Sequence, residues 1–144
     1  MPQTQAPQYL QSTIQKADEW LTDLAGRTGR DDPQKNWQML RAVLHVLRDR
    51  VTVEQCAHLS AQLPLIVRGL YFEGWRPAGQ PRPLRSRDEF VRAVGEELSA
   101  HPEIDPHQAI KTVLGLLAGR ITRGELEKIQ GMLQPEIQAL WPDT

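Results

Sequence analysis

Leu40-Arg41-Ala42-Val43-Leu44-His45-Val46-Leu47-Arg48-Asp49-Arg50-Val51-Thr52 returns seventy positions later as Ile110-Lys111-Thr112-Val113-Leu114-Gly115-Leu116-Leu117-Ala118-Gly119-Arg120-Ile121-Thr122. Leu40, Val43, Leu44 and Leu47 fall on Ile110, Val113, Leu114 and Leu117. These positions sit at i, i+3, i+4 and i+7, the spacing of one helix face. The same shift carries outward in both directions. Asp18-Glu19-Trp20-Leu21 falls on Asp88-Glu89-Phe90-Val91, and Leu59, Leu63, Val67, Leu70 and Tyr71 fall on Ile129, Leu133, Ile137, Leu140 and Trp141. The chain therefore reads as an internal duplication. Residues 1–11 are a tail or helix extension, 12–75 a first helical repeat, 76–87 a Pro/Arg-rich linker and 88–144 a second helical repeat. Two repeats are fewer than an open solenoid needs. The expected fold is all-α: duplicated four-helix units packed as one pseudo-twofold helical bundle.

Helix starts carry their own chemistry. Asp32-Pro33 and Asp105-Pro106 place an acceptor at the N-cap and a proline at N1, where a missing N–H costs nothing. Thr52-x-x-Gln55, Ser86-x-x-Glu89 and Thr122-x-x-Glu125 have the capping-box spacing. Gly26, Gly29, Pro64 and His101-Pro102 read as breakers. No segment alternates apolar and polar long enough to read as a strand. The pattern predicts helices over 10–25, 34–50, 53–63, 64–75, 87–99, 106–120, 123–133 and 135–141. Pro64 leaves open whether the third and fourth are one kinked helix.

Composition bounds the function classes. The chain has 144 residues, 40 % of them apolar, enough for a core. Its formal charge of −1 argues against a general nucleic-acid coat or a polybasic membrane binder. That charge is unevenly shared. Residues 1–75 balance, the linker holds Arg76, Arg82, Arg85 and Arg87 with no acid, and 88–144 carries twice as many acids as bases. A basic strap across the acidic second half is the expected arrangement. A lone Cys56 excludes an internal disulfide. No apolar run reaches the ~20 residues of a membrane span, and no signal-peptide core follows Met1. The default expectation is a cytoplasmic protein.

Candidate chemistry is sparse. Cys56 and His58 are two residues apart on a helix and do not face each other. Among His45, His58, His101 and His107 no pair has the i, i+4 spacing of a helical metal site. Asp31-Asp32, Asp88-Glu89 and Glu96-Glu97 are adjacent acids, which diverge on a helix and cannot share a proton. Gly115 and Gly119 follow no strand and read as helix-packing glycines rather than a phosphate loop. The reading assigns no catalytic residue, no metal site and no cofactor, and expects no enzyme.

The densest segment is Gln62-Leu63-Pro64-Leu65-Ile66-Val67-Arg68-Gly69-Leu70-Tyr71-Phe72-Glu73-Gly74-Trp75. Its apolar residues surround the helix instead of forming one stripe. Such a helix is either the central rod between the halves or one wall of a groove. As a groove it would offer Arg68, Tyr71, Phe72, Glu73 and Trp75 to a partner, with Arg68 for an anion or a backbone carbonyl. The Gln-Leu-Pro-x-x-x-Arg-Gly-x-Tyr-(aromatic)-Glu-Gly-Trp run resembles a bacterial family known as domain of unknown function 2267. The similarity covers nearly the whole chain, duplication and proline-rich connection included. It implies an all-helical fold and carries no activity and no site residue with it. Ser86–Thr122 is also similar to the helical pair that opens histone-like DNA-bending proteins. Gly124-Glu125 here opens another helix, and the basic arms of that family have no counterpart.

Function is thus read as a non-enzymatic protein-interaction module, with a protein or peptide partner. The alternative is a small-ligand binding or sensing protein with a pocket between the repeats. Nucleic acid is disfavoured, and a homodimer stays open because apolar helix faces can be buried against another chain.

Overall fold

The computed structural model describes residues 6–142. Within them the chain forms eight helices and no strand: α1 (Gln8–Thr28), α2 (Pro33–Arg50), α3 (Val53–Ser60), α4 (Leu65–Phe72), α5 (Arg87–Glu97), α6 (Pro106–Arg120), α7 (Arg123–Gly131) and α8 (Pro135–Gln138). The part of the expected N-terminal tail before residue 6 lies outside the described residues.

Capping chemistry explains where the helices begin. Asp32, Thr52, Ser86, Asp105 and Thr122 each accept a backbone N–H of the first turn that follows. Only the forward half of the two threonine boxes forms. Gln55 and Glu125 do not reach back to their own caps. They turn to each other, Gln55 Nε2 donating to Glu125 Oε1 at 2.5 Å in the buried contact between α3 and α7. Helix ends differ from the expected ones for local reasons. Gly29, at φ 70°, closes α1 in the left-handed conformation, while Gly26 lies inside the helix. Pro64 is extended and precedes α4, so α3 and α4 are separate helices, not one kinked rod.

The core is shared. Every residue from Ala42 to Arg48 on α2 is buried, as is every residue from Thr112 to Leu117 on α6. These two helices pack on each other, and α1 and α5 each pack on both. The segment expected as a central rod is not central. α4 lies on α1 and α2, and Leu65 on its far side is 56 % exposed. No helix among the described residues is long and apolar enough to cross a membrane.

Gly115 and Gly119 serve α1 rather than a close-packed helix backbone. A Cβ on Gly115 would sit 2.9 Å from Arg27 Nη1 and 3.1 Å from Pro142. Arg27 in turn binds Asp23 at 2.7 Å, and Asp23 binds Arg120 at 3.1 Å, which ties α1 to α6.

The linker is pinned to the first half, not strapped by charge across the second. Gln80 Nε2 donates to the carbonyls of Arg48 (2.6 Å) and Val51 (2.9 Å), and Arg82 N donates to Asp49 O at 2.6 Å. These bonds occupy the orphan carbonyls at the end of α2. Of the linker arginines, Arg82 comes within 3.9 Å of Glu96, an exposed pair of small energetic weight.

Candidate docking surface

The residues expected to form a groove divide by their hydrogen bonds. Tyr71 is fully buried and donates its hydroxyl to Cys56 O at 2.9 Å. Arg68 donates to Ser60 O (2.8 Å) and Leu63 O (3.0 Å), closing the turn after α3. Both are spent inside the chain. Phe72 and Trp75 are half-buried and lean on each other, ring centroids 5.1 Å apart. The Trp75 indole donates to Gln80 Oε1 at 2.9 Å, and the exposed Glu73 carboxylate sits 3.8 Å from Arg41. Arg68 and Tyr71 thus tie α4 to α3 and the turn after it, while Glu73 and Trp75 reach α2 and the linker.

An exposed apolar surface lies elsewhere, on α1. This helix has 21 residues where α5 has 11. Its buried side chains are Ala17, Trp20 and Leu24; of residues 8–16, Ser12 and Thr13 are half-buried and the others exposed. At ~1.5 Å per residue, residues 8–16 form an overhang of roughly 14 Å. The overhang is not polar. Tyr9 is 67 % exposed, Ile14 54 % and Leu10 38 %.

That apolar run leads into a cleft of about 660 Å³ between α1 and the start of α2. Ala17, Leu21 and Trp37 are its apolar lining, beside Pro33, Gln34 and Gln38. Asp32, Lys35 and His101 add polar groups, His101 from the second half. Lys35 Nζ lies 3.3 Å from Glu103 Oε1 and His101 Nδ1 3.6 Å from the same oxygen, which joins α2 to the turn before α6. The backbone N–H of Glu103 itself, and then Lys35, hold its carboxyl below the ordinary carboxylate range.

The second half is built differently at the equivalent positions. At the positions seventy residues on, Ala17 becomes Arg87 and Trp37 becomes His107. There the Arg87 guanidinium donates to the His107 ring. A hydrogen bond stands where the first half has an apolar floor.

The Cys56 thiol and the Tyr71 phenol are buried away from this surface. Burial pushes the Cys56 thiol up, so it stays protonated near neutral pH, and burial also raises the Tyr71 phenol. Among the described residues no three of His, Cys, Asp and Glu cluster as metal ligands would.

The helices, the Gln62–Trp75 segment and the linker span one continuous stretch of sequence, and a family model covers residues 17–140 of it. The chain belongs to the family described as Uncharacterized conserved protein (DUF2267). No curated protein matches it. The match to DUF2267 starts at Ala17, the first buried residue of α1. The overhang therefore precedes the matched segment, while the cleft falls within it. Sequence reasoning gave residues 1–11 as a tail or helix extension and did not single out Leu10 or Ile14, so this surface was missed. The available signal was the apolar Leu10 and Ile14 before Asp18, where the residues before Asp88 are Pro/Arg-rich.

Proposed function

We propose that the protein is a non-enzymatic interaction module that takes an amphipathic helix along α1 and into the α1–α2 cleft. The observation that carries this is the continuity of exposed Leu10 and Ile14 with Ala17 and Leu21 of the cleft, on one helix face. Exposed apolar residues are common singly, but a contiguous run marks an interaction site. The single thiol, buried and unpaired, suits a cytoplasmic setting, which belongs to the same proposal. So does a pseudo-twofold relation of the halves. It is supported by packing that exchanges under the seventy-residue shift, α1 on α6 answering α5 on α2. On that relation the overhang is an addition to the repeat.

Capture from native lysate tests the reading. Wild-type protein should retain a partner set that Ile14→Glu and Trp37→Ala lose, with helical content unchanged, while Trp75→Ala keeps it. Retention of the same set by Ile14→Glu and Trp37→Ala would refute the reading. A second reading, a small amphiphilic ligand, is favoured by the cleft's volume and its lining from both halves. It predicts a different pattern: Trp37→Ala abolishes ligand binding, and Ile14→Glu, outside the cleft, spares it.

A further inference from the structure

We infer that the cleft between the end of α6, α7 and α8 binds an extended segment of another protein, held by a glutamine side chain that does there what Gln80 does in the first half. This site is separate from the α1–α2 cleft and does not depend on it. The cleft encloses about 580 Å³, and Ala118, Ile121, Leu126 and Trp141 are among its lining residues. Seventy positions earlier stand Arg48, Val51, Cys56 and Tyr71. That earlier group is covered. Gln80 Nε2 donates to the carbonyls of Arg48 and Val51, the same side chain lies close to Cys56, and Tyr71 bonds Cys56 O.

The local backbone agrees at the corresponding points. Val51 (φ −86°, ψ 171°) and Ile121 (φ −109°, ψ 164°) both leave their helices extended, returning their N–H to Leu47 O and Leu117 O. Pro64 (φ −60°, ψ 155°) and Gln134 (φ −63°, ψ 154°) open α4 and α8 alike. Arg68 Nη2 donates to Leu63 O, and Gln138 Nε2 to Leu133 O. What differs is the cover. Arg48 and Cys56 are buried, whereas Ala118 and Leu126 are half-buried. Among the described residues no donor reaches the Ala118 or Ile121 carbonyl. Independently of the repeat, Trp141 is 7 % exposed and its Nε1 is buried without a hydrogen-bond partner among them. A buried donor left unpaired is costly, and native structures rarely keep one. A primary carboxamide answers both needs, its NH2 donating to carbonyls while its oxygen accepts an indole N–H. Gln80 shows the pairing, its Oε1 accepting Trp75 Nε1 at 2.9 Å. Gln80 is itself spent on α2 in every copy, so the occupant comes from a different protein. The acid excess of residues 88–144 favours basic flanks such as Arg82 and Arg85 give the linker.

A synthetic peptide of residues 77–86, titrated into the isotope-labelled full chain, tests this through the indole N–H signals of the four tryptophans. The Trp141 signal, identified by its loss in Trp141→Phe, should shift and saturate below about 1 mM peptide while the Trp75 signal stays in place. Trp141→Phe keeps the ring packing and should weaken binding about fivefold, the loss of one hydrogen bond. A peptide with alanine in place of its glutamine should not bind. A shift at Trp75 in place of Trp141 would mean that the peptide has displaced the linker, and it overturns the inference. So does a Trp141 signal that no concentration moves, or equal binding by the alanine peptide. Self-association of the chain that Gln80→Ala abolishes would put a second copy's linker in the cleft and overturn the choice of partner.

Discussion

His45 and Arg48 lie one turn apart on α2, and both serve the end of α4. The His45 ring bonds Leu70 O through Nε2 at 2.8 Å, and Arg48 Nη1 donates to Tyr71 O at 2.8 Å and Glu73 O at 2.9 Å. A helix leaves its last carbonyls without intrahelical donors, and two side chains of a neighbouring helix supply them here. Arg48 is 4 % exposed and also forks onto the Asp49 carboxylate at 2.7 and 3.1 Å, so its charge is paired as well as bonded. His45 has no such counter-charge. A carbonyl only accepts, so Nε2 carries the proton in that bond. Burial lowers the pKa of His45 below its ordinary 6.5. The Leu70 bond opposes that shift, Arg48 and Arg41 reinforce it, and Glu97 opposes it more weakly. The native state then holds fewer protons than the unfolded chain between the lowered value and 6.5, so stability increases with pH across that window. It is fully present above 6.5 and is lost as pH falls through the lowered folded value. Urea midpoints should therefore drop between about pH 7.5 and about pH 5.5. His45→Gln, which keeps a donor without the titration, should flatten that slope. Equal slopes in the two proteins would show that other groups cause it.

Helices α3 and α7 start with the same cap and differ in what backs it. Thr52 Oγ1 accepts Gln55 N at 3.1 Å and makes only a long contact, donating to Met132 Sδ at 3.9 Å, across the halves. Thr122 Oγ1 accepts Glu125 N at 3.2 Å and is also clamped by Gln62, whose Nε2 donates to Oγ1 at 3.0 Å while its Oε1 accepts Thr122 N at 2.7 Å. Gln62 thus does for the α7 cap what a capping box would ask of Glu125, and Glu125 is released to meet Gln55. Thr52→Ala should cost ~1 kcal/mol, the value of one cap. Thr122→Ala should cost about 2 kcal/mol, because a bond to Gln62 goes with the cap. Equal losses in urea unfolding would mean that the clamp contributes nothing. The same contrast shows what was legible in the sequence. Asp32, Thr52, Ser86, Asp105 and Thr122 announce their helices because a cap is chemistry within four residues. Helix ends were overrun, as at 53–63 against Val53–Ser60, because the final turns tighten into i→i+3 bonds such as Gln62 N to Leu59 O, which leave no mark in residue type. Arg68 and Tyr71 looked like groove residues for a related reason: their partners are backbone carbonyls, and any residue supplies one. The α1 face was illegible because a helical stripe does not say where the helix it packs on stops.

The two halves are stabilised together. α2 meets α1 and α4 from its own half and α5 and α6 from the other, and α1 itself packs on α6. Polar bonds cross as well: Arg50 Nη2 donates to Gln134 Oε1 at 2.7 Å, and Gln55 to Glu125 at 2.5 Å. Removing the second half would bare the α5- and α6-facing side of α2, including part of the run from Met39 to Leu47 that is now almost wholly buried. It would also leave the buried Gln55 without its partner. A chain of about 70 residues already buries a smaller share of its surface than one twice as long, so there is little stability to lose. Residues 1–75 expressed alone should show no cooperative thermal transition, and the complete chain should unfold in a single step, with fluorescence and circular dichroism giving one midpoint. The four tryptophans lie in both halves, at 20, 37, 75 and 141, so emission reports on the whole core. Two separated midpoints in the complete chain, or a sharp transition in the 1–75 fragment, would mean that each repeat holds its own core and that α2 and α6 merely touch.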